Sequence, residues 1–208
     1  PPDPKAVVGA TFSAAANTYD QVISFFAPFG RALVAAADLD RGATVLDVAS
    51  GRGACLYPAL ESVGPEGQVT GIDLTAEFVR VAESLTRRVK LDQKITFRQA
   101  SAFELPFAPD TFDGAYEIHV GMNIADKAGV FREVARVLKP GARFAIYDLM
   151  RSNDATLTFP VPWAQTPETS FVATVDDYRQ ALEAAGFRID HQRDRRQFAI
   201  DSMQQRMA

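Results

Sequence analysis

Two acids and two glycines carry the chemistry most legible in this chain. Asp47 closes a short apolar, β-branched run, Thr44–Val48, and is followed at once by Ala49-Ser50-Gly51-Arg52-Gly53. Glycines in such a turn let the backbone bend tightly and let a ligand approach without Cβ interference. An acid at the carboxyl end of a strand stands where open parallel sheets bind their ligands. A second acid, Asp73, lies 22 residues beyond Gly51, at the end of another apolar run. That spacing suits a ribose diol, because one carboxylate can accept both hydroxyl hydrogen bonds. Asp73 is equally placed to cap the helix expected from Ala76, and the two roles are compatible. A dinucleotide fingerprint would add a third small residue after G-x-G-x-x, whereas Leu56 stands there. Two further groups could move protons: Glu117, and His119, whose imidazole titrates near neutral pH when unperturbed. Both lie just past a fourth apolar run, and the second histidine, His191, is read as structural or exposed.

The elements that must position these groups follow from periodicity and turn residues. After a proline-rich tail, Pro1–Lys5, a helical stretch over Ala6–Ala37 is expected, interrupted at Pro28 and Gly30 and resumed from Arg31. Strands are expected at Thr44–Val48, Gly67–Asp73, Ile95–Gln99, Thr111–Tyr116 and Arg143–Asp148. Helices are expected between them, at Ala54–Val63, Thr75–Lys90 and Lys127–Leu138. Strand and helix in alternation predict an α/β domain with a mostly parallel, doubly wound sheet. Met150–Ser170 has prolines, aromatics and little periodicity, as a lid or binding loop would. Thr174–Ala185 reads as a helix capped by Thr174 and ended by Gly186, Phe187–Gln192 as a sixth strand, and Arg193–Ala208 as a polar helix or tail. No seventh strand is evident. One domain is expected, divided into an N-terminal helical lid (1–40), a core (41–148) and a C-terminal part with the substrate-lid loop (149–208).

Composition narrows the partners. The 208 residues are 47% hydrophobic and 23% charged, with a net charge of −4 and a pI of about 5.2. No basic field exists to attract nucleic acid. The single cysteine, Cys55, excludes an internal disulfide and a multi-cysteine metal site, so no metal is expected. At a helix start its thiol could be acidified, but a small packing residue is the simpler reading. No apolar run approaches the ~18 residues of a membrane span, no secretory signal is visible, and a cytoplasmic location is expected. The chain begins at Pro1 rather than methionine, so a few residues are expected to precede it.

The pattern D-x-A-S-G-x-G, with its acid before the glycines and Asp73 downstream, resembles the first motifs of class I S-adenosylmethionine (SAM)-dependent methyltransferases. F-S-A-A-A-N-T-Y-D near the N-terminus is similar to the F-x-x-x-A-x-x-Y-D opening of many small-molecule members. ASAFELPF is similar to their G-D-A-x-x-L-P-F segment. FDGAYEIHVGMNIADK followed by RVLKPG resembles the ubiquinone/menaquinone-type C-methyltransferases (methyltransferase domain 11/25 type). The likeness runs over roughly Phe12–Asp148.

The resemblance implies a sheet of order 3-2-1-4-5-(7)-6, SAM as cofactor and S-adenosylhomocysteine (SAH) as product. It implies that Asp47, Ala49, Gly51 and Gly53 pass under the methionine part, and that Asp73 and Leu74 meet the ribose. Ser101, Ala102 and Phe103 would border the adenine, with Ser101 replacing an aspartate that usually accepts from the adenine amine. Glu117 would touch the SAM amino group, and Tyr19 and Phe12 would form a lid over the methionine end. The acceptor would meet His119, Asn123 and Tyr147, with Phe159 and Trp163 shaping its pocket, and His119 or Glu117 would take a proton where one must leave. The implied reaction is methyl transfer to O, N or C of a small molecule, with a homodimer left open. A non-catalytic SAM-binding module and, more remotely, an NAD(P)-dependent oxidoreductase are the alternatives. The segment after the fourth strand, Tyr116-Glu-Ile-His119, lacks the N/D-P-P-Y/F of nucleic-acid methyltransferases.

Overall fold

The computed structural model describes Ala10 and residues 26–207. Five strands, β1 (Thr44–Val48), β2 (Gln68–Asp73), β3 (Ile95–Gln99), β4 (Phe112–Ile118) and β5 (Leu138–Tyr147), form one sheet of order β3-β2-β1-β4-β5. Every pairing is parallel. The helices are α1 (Phe26–Ala37), α2 (Leu56–Val63), α3 (Ala76–Arg88), α4 (Lys127–Val137), α5 (Val175–Ala184) and α6 (Arg196–Met207). This is the doubly wound α/β architecture expected, with β1 at its centre.

Strand β1 explains why Asp47 stands out. Alternate residues of a strand face opposite sides of the sheet. Val45 joins the core that packs α1 and α2 on one face, with Leu33, Val34, Leu56 and Ala59. Leu46 and Val48 join the core that packs α4 and α5 on the other, with Val130, Phe131, Val134 and Tyr178. A strand covered on both faces must be apolar nearly throughout, and Asp47 is the one charged residue in it, 1% exposed.

Two local expectations are corrected. Helix α1 runs unbroken through Pro28 and Gly30: Gly30 is needed not as a break but because its missing side chain leaves room for the Cys55 sulfur against the helix. The sixth strand expected at Phe187–Gln192 does not form, and the sheet ends at β5. Phe187 packs on Phe144 of β5, with ring centroids 5.5 Å apart. Beyond it the side chains bond outward, Arg188 to Asp190 at 2.8 Å and Gln192 to Arg179 at 2.6 Å. One apolar anchor does not hold six residues in register along an edge. Thr174 caps α5 as expected, in a reciprocal capping box with Asp177. No helix among the described residues is long and apolar enough to cross a membrane.

Candidate active site

The turn after β1 is held by its own backbone. Ala49 (φ 57°), Gly51 (φ 55°) and Gly53 (φ 85°) all adopt left-handed conformations. A Cβ on Gly53 would approach the Phe97 ring to 2.9 Å, whereas one on Gly51 would meet nothing within 4 Å. Gly53 thus closes the turn onto the sheet while Gly51 faces open space. The Ser50 N–H donates to Ile72 O at 2.7 Å, joining the turn to β2. Asp73 completes the joint: its Oδ2 accepts from the Gly51 N–H and its Oδ1 from the Thr75 N–H, each at 2.8 Å. Burial raises its pKa, and the bonds from Thr75 and Gly51 pull it back. Each oxygen keeps acceptor capacity for a hydroxyl.

Two further acids lie at the same edge. Val48 pairs with Glu117 across β1 and β4, and Asp47 with Tyr116. Asp47 and Glu117 are each 1% exposed. Burial raises both pKa values strongly; the Tyr116 hydroxyl partly opposes this at Asp47, as Lys127 does at Glu117. No carboxylate oxygen of either residue has a partner in hydrogen-bond geometry among the described residues. A buried carboxylate without donors is costly. The arrangement is one that a cationic ligand would complete.

His119 follows β4 as Ala49 follows β1, and is likewise left-handed, with φ 55°. Its N–H donates to Tyr147 O at 2.8 Å. Its ring meets Tyr147 edge-on at 5.4 Å and Phe29 at 5.9 Å. Burial lowers its pKa to about 4, so the imidazole is neutral at pH 7. Phe29 and Phe198 of α6 meet edge-on at 5.3 Å, and the Arg195 guanidinium lies 4.2 Å over the Phe198 ring.

Behind this edge sits a polar cluster. Asp148 Oδ2 accepts from the Tyr178 hydroxyl at 2.6 Å and from the Met122 N–H at 3.2 Å; its Oδ1 accepts from the Leu149 N–H at 2.8 Å. Burial raises its pKa to about 6 against these bonds. Lys127 Nζ donates to Ile124 O at 2.9 Å and to Phe171 O at 2.7 Å.

The sequence-expected residues divide accordingly. Asp47, Ala49, Gly51, Gly53, Asp73, Glu117, His119 and Tyr147 meet at the carboxyl edge of the sheet. Leu74 follows β2 and Ser101, Ala102 and Phe103 follow the neighbouring β3; Leu74 and Phe103 are 37% and 41% exposed. The Phe103 N–H donates to Ser101 Oγ at 3.3 Å. Asn123 lies in a 3-10 turn, its Oδ1 buried without a partner among the described residues. Phe159 and Trp163 lie in the segment between β5 and α5. Phe159 lines a groove with Arg151, Leu157 and Val172. Trp163 donates to Ser170 Oγ at 3.1 Å. The segment that carries them is tied to the turn holding Asn123, where the Phe171 N–H donates to Met122 O at 2.8 Å. A second groove, lined by Asp126, Lys127 and Asp177, also lies outside the carboxyl-edge cluster. Phe12 and Tyr19 lie outside the described residues. Cys55 is buried and its thiol pushed up in pKa, so it packs rather than reacts. Sequence reasoning missed Phe29, Phe198, Arg195, Lys127 and Tyr178. Lys127 was within reach, since a lysine inside the N-I-A-D-K run had no exposed helix face to explain it.

The fold and this edge define a class, the α/β proteins that bind a ligand at the strand tips beside a glycine turn. Residues 39–192 match the methyltransferase domain family, and the chain belongs to it. It is 33% identical over 153 residues to the chloroplastic 2-phytyl-1,4-beta-naphthoquinone methyltransferase of Arabidopsis thaliana, covering 72% of this chain and 58% of that protein. Among solved structures it is similar to a SAM-dependent methyltransferase from Aquifex aeolicus (26% identity, TM-score 0.64, 78% of this chain and 81% of that one). It is also similar to the [4+2]-cyclase SpnF (26% identity, TM-score 0.66, 77% of this chain and 57% of that one). The chain spans between 35% and 58% of the length of three curated relatives it matches.

Proposed function

We propose that this chain binds SAM at the carboxyl edge of its sheet and directs its methyl group to a small-molecule acceptor. One observation carries the choice of cofactor. Asp47 and Glu117 present buried acids at adjacent strand tips, offset only in part by the Tyr116 hydroxyl and by Lys127. They attract the ammonium and sulfonium charges of SAM and repel the pyrophosphate of NAD(P). The reading of Asp73 as the ribose ligand is supported by its two backbone bonds, which fix the carboxylate while leaving acceptor capacity. Gly51 leaves the open surface over which the methionine part lies. Leu74 and Phe103 offer exposed apolar surface to the adenine, and Ser101 to Phe103 its polar rim. The net charge of −4 supports a small acceptor over a nucleic acid.

SAM, when bound, supplies an electrophilic methyl on an excellent leaving group. The protein's part is alignment and exclusion of water. The acceptor lies against His119, Asn123 and Tyr147. His119, neutral at pH 7, accepts the hydrogen bond of an acceptor hydroxyl and takes its proton where one must leave. Burial raises the Glu117 pKa, and an ammonium beside it would favour its ionised form. The likeness to SpnF favours a second reading, in which the same edge positions an acceptor for a ring closure without methyl transfer.

Calorimetry with SAH and NADH tests the cofactor, with Asp73→Ala as control. SAH binding to wild type, none of NADH, and a loss of roughly a hundredfold in Asp73→Ala are expected for paired charge-assisted bonds. NADH binding, or SAH affinity unchanged in the variant, refutes the reading. Mass detection of methylated products across a metabolite panel then separates methyl transfer from the ring-closing alternative.

A further inference from the structure

We propose that Arg195, at the start of α6, is an acceptor-recognition residue, and that the methyl acceptor is a planar molecule carrying an anionic oxygen group, carboxylate or phosphate. The inference rests on the SAM-dependent reading above.

Arg195 is a cation with aromatic company and no anion. Its guanidinium lies 4.2 Å over Phe198, and its Nε is buried with no hydrogen-bond partner among the described residues. The acid beside it is engaged elsewhere: Asp194 accepts from the Arg196 N–H at 2.8 Å and pairs with the Arg196 guanidinium at 3.6 Å. Glu117 and Asp148 take their compensation from Lys127, and Asp73 from backbone N–H groups. A cation at a helix N-terminus also opposes the helix dipole. A guanidinium with no acid beside it in that position has donors that a bound anion would take up.

Its place in the fold decides which anion. Phe198 packs on Phe29, and Phe29 on both His119 and Tyr147, the two rings at the tips of β4 and β5. Burial raises the pKa of the Tyr147 hydroxyl, and the charge of Arg195 reaches it and partly opposes that rise. An oxyanion at Arg195 therefore sits two rings, Phe198 and Phe29, from His119. A planar acceptor spanning that distance has its ring against Tyr147 and its nucleophile toward His119. Guanidinium takes carboxylate or phosphate through two parallel bonds, which fixes orientation as well as affinity.

The test uses the SAH-loaded full chain and three probes: naphthoate, its methyl ester and naphthyl phosphate, titrated by calorimetry. Naphthoate or naphthyl phosphate should bind about tenfold tighter than the ester, the better anion identifying the group. Arg195→Gln should abolish that preference and Arg195→Lys retain part of it, with SAH affinity unchanged in both. Equal binding of acid and ester, binding of no probe, or a preference that survives in Arg195→Gln overturns the proposal while SAH binding stands. Failure of wild type to bind SAH removes instead the reading on which it rests.

Discussion

His119 is held in a state set by its surroundings. Its left-handed backbone points the ring into a cage of Phe29 and Tyr147, and burial there lowers its pKa to about 4. A neutral imidazole is an acceptor at any physiological pH, so it has no protonation step to undergo before turnover. Two consequences are measurable. The wild-type kcat should show no inflection from an ordinary histidine between about pH 5 and 8. His119→Ala should lower kcat by about a hundredfold or more while changing SAH affinity little, as loss of a general base does. Turnover unchanged in that variant removes His119 from the reaction. The residues of the β1 turn were legible in the sequence because their chemistry is local: Asp47, Gly51 and Gly53 lie within one turn, and Asp73 one strand away. The histidine's cage was not legible. Phe29 and Phe198 reach it from opposite ends of the chain, and nothing in either's neighbourhood marks it as more than a core aromatic.

At the scale of elements, the parallel strands and the helices between them were readable, since each buried strand is a short apolar run ended by turn residues. The reading failed where stability came from contacts at a distance. Helix α1 keeps Gly30 because that glycine seats Cys55. Residues 187–192 alternate as a strand should, yet they form no ladder with β5, on which Phe187 packs against Phe144. Lys127 shows how such distant contacts hold loops. At 7% exposed, it bonds Ile124 O and Phe171 O and stacks 5.3 Å from the Tyr178 ring, joining the turn after β4, the 150–173 segment and α5. Lys127→Met keeps the stem and leaves two carbonyls without their donor. A loss of about 2–3 kcal/mol is expected, a fall in Tm of roughly 5 °C. The loss of amide protection should be confined to Gly121–Ile124 and Phe171–Ala173. Uniform loss of protection across the sheet would show that Lys127 supports the core instead of the loops.

For the whole molecule, the sheet gathers its buried acids at one edge, and this makes stability depend on pH in a way that cofactor should reverse. Asp148 is raised from 3.8 to about 6, so it binds its proton more readily folded than unfolded. Its contribution to stability is full at low pH and is lost as pH rises through that window. His119, lowered from 6.5 to about 4, acts the other way: its contribution is full above 6.5 and is lost as pH falls toward 4. The two windows nearly coincide and oppose, so they largely cancel. Asp47 and Glu117 remain, both raised well above the usual carboxyl value by burial, which Tyr116 and Lys127 offset only in part. The cofactor-free protein should therefore lose stability as pH rises from the usual carboxyl range to about 8, as a buried carboxyl must ionise with little to compensate it. A bound ammonium beside these carboxylates removes that penalty, so the Tm gain from saturating SAH should grow over the same range. Glu117→Gln separates the terms: it should raise the cofactor-free Tm at about pH 8, flatten its pH dependence, and weaken SAH binding by about tenfold or more. Differential scanning fluorimetry across that range, with and without SAH, measures all three effects. Parallel curves for free and loaded protein would mean that Asp47 and Glu117 do not face the cofactor, and the carboxyl edge would then need another explanation for its buried charge.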